Sequence, residues 1–215
     1  MIIAFEGIHG CGKSTQIKKM EEWFINHLKI EVMITKWNSY PELTPFIDGI
    51  KFEKGLDISC SLAHALDFSV RQEKYIIPFI RETNGVVLSD RYVYTGLVRD
   101  KLRGISEEFS SNLYSNSLEP DIILYFDIDP LIAISRMVHH RKRTPYILGL
   151  DLNLASDITE NFLHYLILQR EIYLNIFSTK PNAFVLDVNS SSIEELFKKA
   201  VDLISSFKQE GNYKK

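Results

Sequence analysis

The sequence predicts an α/β fold built on a parallel sheet of five strands with helices on both faces. Short runs rich in Val, Ile, Leu and Phe alternate with long amphipathic stretches. The runs are nearly continuous in apolar residues, the mark of strands covered on both faces rather than one. A glycine-rich loop follows the first run and opens the first amphipathic stretch, the strand–turn–helix order of α/β units. Candidate strands are Ile2–Phe5, Glu31–Thr35, Gly85–Ser89, Ile122–Asp127 and Ala183–Asp187. Helical patterns lie near Ser14–His27, Ile58–Thr83, Ser106–Ser115, Pro130–His139, Ile158–Ser178 and Ser192–Lys208. No repeat, low-complexity segment or linker interrupts them, so one domain over residues 1–209 is expected. The charged tail 210–215 is expected to fray.

Composition narrows the function classes. The chain has 215 residues, 45% of them hydrophobic, enough to bury a core. A formal charge of −3 gives no global pull toward nucleic acid or a membrane surface. Only Cys11 and Cys60 are present, too few for a disulfide framework. The first strand starts at residue 2 and Glu6 interrupts the apolar run, so no signal peptide is expected. No apolar stretch approaches the ~20 residues of a membrane span. A soluble protein of a reducing compartment, the cytoplasm, is the expectation.

The most specific motif is Gly7-Ile8-His9-Gly10-Cys11-Gly12-Lys13-Ser14-Thr15, which fits G-x-x-x-x-G-K-[ST]. A polyphosphate needs several backbone N–H groups turned inward together, and glycines permit the close approach and positive φ this requires. Lys13 can reach the β- and γ-phosphates, Ser14 can ligate Mg²⁺, and the following helix aims its positive end at the anion. The chain is therefore read as a binder of a nucleoside triphosphate.

The strand Gly85–Ser89 ends in Asp90-Arg91-Tyr92. A carboxylate at the end of a neighbouring strand suits Mg²⁺ opposite the loop hydroxyl, and Arg91 can offset charge spreading over a transferring phosphoryl group. The competing view is a structural Asp–Arg pair at the strand end. Two loops also stand out. Residues 36–57 leave the second strand and carry Trp37, Tyr40, Pro41 and Pro45, a position typical of binding loops. His139-His140-Arg141-Lys142-Arg143 lies between two helices and reads as part of a phosphate-closing lid over about 139–152, against the alternative of a solvated basic patch.

With these residues in place, the sequence resembles the thymidylate kinase family. Phe5 through Gln16 looks like that family's opening, and Asp90-Arg91-Tyr92 is similar to its Asp-Arg-[Tyr/His] motif, with Thr95 where Ser is frequent. Pro120 through Asp127 resembles its Pro-Asp-x-x-x-Tyr-x-Asp strand, followed by a helix carrying Arg136. The resemblance implies a P-loop nucleoside monophosphate kinase fold with a lid, ATP and Mg²⁺, a nucleoside monophosphate acceptor with dTMP foremost, and a homodimer. It places Gly7, Gly10, Cys11, Gly12, Lys13, Ser14, Thr15, Arg136, Arg141 and Arg143 around ATP, with Asn189-Ser190-Ser191 near the adenine. Lys13, Asp90 and Arg91 become catalytic, and Ser14 and Asp90 the Mg²⁺ ligands.

Departures fall on the acceptor side. His9 stands where the family has a carboxylate, either as a sugar contact or as a drifted turn residue. Lys36-Trp37-Asn38-Ser39 replaces Arg-Glu-Pro-Gly, so Lys36 offers a point charge without a bidentate fork, and Trp37 is core or a reshaped wall. Arg71 follows Asp67 by four and Phe68 by three. Phe68 with Arg71 can receive a base, or Phe68 can be core while Asp67 ties Arg71 into an ion pair. Val98-Arg99-Asp100 replaces Ala-Tyr-Gln, and Tyr92 and Arg99 complete the acceptor candidates. A subset of similar sequences carries the Arg-Asp with a following Arg-Gly, here Arg103-Gly104. Two alternatives remain open: the same chemistry on another nucleotide or small metabolite, and an ATP-binding regulatory protein.

Overall fold

The computed structural model describes residues 1–51, 53–137, 146 and 148–209. Five parallel strands form its sheet: β1 Ile2–Glu6, β2 Val32–Lys36, β3 Val86–Asp90, β4 Ile122–Asp127 and β5 Ala183–Asp187, in the order β2-β3-β1-β4-β5. Each of the five expected strands is present, shifted by at most a residue or two. The three inner strands are buried along nearly their whole length, as continuous apolar runs require. The edge strands differ from expectation: β2 and β5 are half-buried, because each has a neighbour on one side only.

Helices α1 Lys13–Asn26, α6 Glu107–Leu113, α7 Pro130–Met137, α8 Ile158–Phe177 and α9 Ile193–Gln209 match the expected patterns. Two helices escaped them. α2 Thr44–Ile50 lies inside the segment read as a loop, and α5 Val93–Leu102 follows Asp90-Arg91-Tyr92. Both contain glycine and β-branched residues, which weaken the helical signal while tertiary packing supplies the stability. The single helix expected over Ile58–Thr83 is α3 Asp57–Arg71, a π-turn Gln72–Ile76 and α4 Ile77–Thr83. Pro78, which has no N–H to donate, falls just after that π-turn. Side-chain caps fix two other helix starts: Ser106 accepts from the Phe109 N–H, and Asp157 from those of Thr159 and Glu160.

The core is one cluster running from Met1 to Ile204, with Phe5 stacked on Phe126 across adjacent strands. The register sets the site. Phe5 lies opposite Asp90, and Asp90 opposite Lys36, so the loops leaving β1, β2 and β3 emerge side by side at the carboxyl edge of the sheet. Ligands gather at that edge in open α/β sheets.

Candidate active site

The loop after β1 turns through Gly7, Gly10 and Gly12 at φ of 147°, 83° and 93°. Gly10 is constrained twice, because a Cβ there would sit 2.6 Å from the Ala133 carbonyl oxygen of α7. The loop thus rests directly on the helix that carries Arg136. Gly12 caps α1 in the left-handed conformation, and Lys13 begins the helix. The Lys13 ammonium is buried and folds back on its own loop, donating to the carbonyls of Gly7 (3.0 Å) and Ile8 (3.1 Å) and to Cys11 Sγ (3.3 Å). Burial, and then Arg91, push its pKa down. A phosphate oxygen would be a stronger partner than neutral carbonyls, so Lys13 is poised to exchange them for an anion.

A cleft of about 430 Å³ opens over this loop. It is lined by Gly10, Gly12, Lys13, Ser14, Thr15 and Arg136, and by His9, Lys36, Trp37, Asp90 and Arg91. Residues far apart in sequence, from three loops and two helices, therefore face one space. Gly7 and Cys11 lie beneath the loop, buried. Arg141 and Arg143, expected in a lid, lie outside the described residues. Among the described residues, no hydrogen bond or ion pair engages the Asp90 carboxylate or the Ser14 hydroxyl. Arg91 adopts φ 72°, a left-handed backbone uncommon for a side-chain-bearing residue and concentrated at functional sites. Its N–H donates to the Phe5 carbonyl, and its own carbonyl accepts from Ser89 Oγ.

The conformation of Arg91 is held by a residue the sequence reading passed over. Glu6, the last residue of β1, is wholly buried. Its carboxylate accepts from the Tyr92 N–H (2.7 Å), Thr95 Oγ1 (2.9 Å) and the Tyr173 hydroxyl (3.1 Å). Thr95 and Tyr173 lie 2.8 Å apart and each accepts from Arg91 Nη1, at 3.2 and 3.3 Å. Burial raises the Glu6 pKa, against the pull of Arg91. The available signal was a lone carboxylate ending an apolar strand, since buried charges persist only where they are paired.

The remaining acceptor candidates sit behind the cleft. Tyr92 is wholly buried, its hydroxyl donating to the Leu118 carbonyl and its ring edge-on to Phe68, so it belongs to the core rather than to the cleft surface. Phe68 is also core, packed among Trp37, Tyr92 and Tyr114. Asp67 and Arg71 form the intrahelical ion pair (2.8 Å), with Asp67 also accepting from the Tyr40 N–H and Arg71 donating to Thr35. Arg99 lies half-buried over the Tyr146 ring. Trp37 is the residue common to the two regions: it lines the cleft and packs against His64, Phe68 and Tyr114.

Known proteins extend what this geometry says. The family model for thymidylate kinase matches residues 5–200. The chain belongs to the thymidylate kinase family. A "Probable thymidylate kinase 2" of Saccharolobus solfataricus is 36% identical over 191 residues, covering 88% of each chain. A "Probable thymidylate kinase" of Thermococcus kodakarensis is 31% identical over 179 residues, 76% of this chain and 82% of that one. Another of Pyrococcus horikoshii is 29% identical over 94% of both chains. Family membership brings with it the P-loop nucleoside monophosphate kinase fold, and the family uses ATP with Mg²⁺. No described helix is long and apolar enough to cross a membrane.

Proposed function

We propose that this thymidylate kinase family member transfers the γ-phosphoryl group of ATP to dTMP, giving dTDP and ADP. The observation that carries the reading is the meeting of Lys13, Asp90, Arg91 and Lys36 around one cleft beside the phosphate loop. Lys13 and the loop N–H groups hold the donor phosphates, with Arg136 from α7 on the same side. Arg91, fixed between Thr95 and Tyr173, bridges donor and acceptor phosphoryl groups and offsets the charge that spreads during transfer. Lys36 meets the acceptor phosphate as a point charge. No general base is required, because a phosphomonoester oxygen is already ionised near neutral pH. Positioning and charge neutralisation supply the rate.

The Ser14 hydroxyl and the Asp90 carboxylate, both lining the cleft and without hydrogen-bond partners among the described residues, are the oxygen donors that suit Mg²⁺. The ion, when bound, would neutralise the phosphate oxygens. Arg141 and Arg143 are assigned to the lid by sequence. The exposed residues Ile58, Leu62 and Leu66 recur every four positions along α3, and this apolar stripe supports pairing with a second copy of the chain. The cytoplasm is the proposed compartment. A second reading, in which a different nucleotide or small metabolite is the acceptor, is favoured by one observation: Trp37 lines the cleft, and Phe68 is buried.

Incubation with γ-labelled ATP and dTMP tests the proposal. Label is expected in dTDP. Label released as inorganic phosphate, at the same rate with and without an acceptor, would refute it.

A further inference from the structure

Behind Trp37 lies a cluster of buried polar groups without partners. Trp37 is 9% exposed, His64 5%, Arg71 3% and Tyr114 7%. Among the described residues, Trp37 Nε1, both ring nitrogens of His64, Arg71 Nη2 and the Tyr114 hydroxyl form no hydrogen bond. Native proteins leave few such atoms unmatched, because each buried orphan carries a desolvation penalty, and here they concentrate in one place. Five gathered around one aromatic side chain point to a subsite whose partner is a ligand.

The arrangement is ordered. His64, Phe68 and Arg71 stand at i, i+4 and i+7 on one face of α3. The Trp37 ring lies 5.4 Å from His64, 6.3 Å from Phe68 and 6.2 Å from Tyr114, between this face and the cleft. Its backbone is anchored by a bond to the Asp90 carbonyl, but its indole N–H has no partner among the described residues, which hold the ring by packing. The next residue, Asn38, turns at φ 54° and starts the loop to α2.

We propose that His64 is a specificity-determining residue of the acceptor subsite, pairing with the nucleobase edge beside Arg71 once the Trp37 indole turns aside. This inference rests on the kinase reading above. The orphan set favours an imide base, with the His64 imidazole at the ring N–H. Arg71 Nη2 and the indole N–H can only donate, and a neutral imidazole offers one acceptor and one donor. With the imidazole acceptor at the ring N–H and the donors at the flanking carbonyls, that combination matches an imide edge, and an amino group in place of a carbonyl would meet a donor. Burial, with Arg99, Lys51, Arg103 and Arg71 around it, pushes the His64 pKa well down, which keeps the acceptor nitrogen available. The same cations favour carbonyl oxygens over amino groups.

His64→Phe keeps an aromatic ring against Trp37 and removes both nitrogens. It deletes two unpaired polar atoms, so its melting temperature should match or exceed that of the wild type. The KM for dTMP is expected to rise about tenfold or more, since an unpaired polar edge in a closed pocket loses at least that factor. The KM for ATP should stay within about twofold, discrimination of dTMP against dCMP should fall, and His64→Gln should restore part of both. In a Trp23→Phe background Trp37 is the remaining tryptophan, and its emission should shift to the red as dTMP binds. A KM for dTMP unchanged in His64→Phe, or rising in step with that for ATP, would overturn the proposal. So would dTMP binding with Trp37 emission unmoved. Wild-type protein that turns over no nucleoside monophosphate would instead refute the kinase reading, and is recognised before any variant is made.

Discussion

Replacing Glu6 separates its two tasks, holding a backbone and fixing Arg91. Glu6→Ala removes the acceptor of the Tyr92 N–H, while Thr95 and Tyr173 keep each other at 2.8 Å. One orphaned buried donor costs about 1–3 kcal/mol. The vacated side-chain space, ~50 Å³ at ~24 cal/mol per Å³, adds about 1 kcal/mol. The expected loss is therefore about 2–4 kcal/mol, read as a shift in denaturation midpoint at constant slope. Glu6→Gln keeps the acceptor oxygen and removes the charge. Because burial raises the Glu6 pKa, the folded state holds the proton more tightly than the unfolded chain. Wild-type stability relative to Glu6→Gln must then fall as pH rises from about 4.3, the ordinary value, through the elevated folded one. At pH 7 Glu6→Gln should be at least as stable as wild type and yet slower, because the charge balancing Arg91 is gone. A Glu6→Ala protein within about 1 kcal/mol of wild type would refute the reasoning. So would a Glu6→Gln protein whose relative stability drops as pH rises.

Three further outcomes are expected. Gly10→Ala places a Cβ against the Ala133 carbonyl at a positive φ, so the loop and α7 must part; the KM for ATP should rise at least tenfold in steady-state assays. Asp67→Ala leaves the buried Arg71 guanidinium uncompensated and should lower stability by about 3–5 kcal/mol in denaturant titration, with Arg71→Met in the same chain recovering part of it. Leu62→Glu, on the exposed stripe of α3, should halve the mass found by light scattering if that stripe pairs two copies.

Much of the frame was legible because it rests on local signals. Strands β1, β3 and β4 declare themselves by unbroken apolar runs, and the phosphate loop by glycines at fixed spacing before Lys13. The i, i+4 spacing of Asp67 and Arg71 likewise offers their ion pair as one of two readings, and the structure has it. What stayed hidden depends on partners distant in sequence. Glu6 is explained by Tyr173, 167 positions away, and nothing near residue 6 reveals it. His64 looks like an ordinary helix residue until the Trp37 ring is seen against it. Helix α5, with Gly96 among β-branched residues, has little intrinsic preference and is held by contacts with α3, α6 and α8. In the sequence Phe68 stays open between platform and core, because an aromatic near an arginine suits either until the fold is seen to pack Trp37, Tyr92 and Tyr114 around it.

The central claim is the identity of the phosphoryl acceptor, and one measurement addresses it most directly. ADP release from ATP and Mg²⁺ is followed with dTMP, dUMP, UMP, CMP, AMP and GMP in turn, and kcat/KM is compared. The account predicts dTMP ahead of every amino-bearing base by at least about tenfold, the factor that one mismatched buried hydrogen bond imposes. Equal rates across the panel, or none with any of the six while ATP still binds, would contradict it.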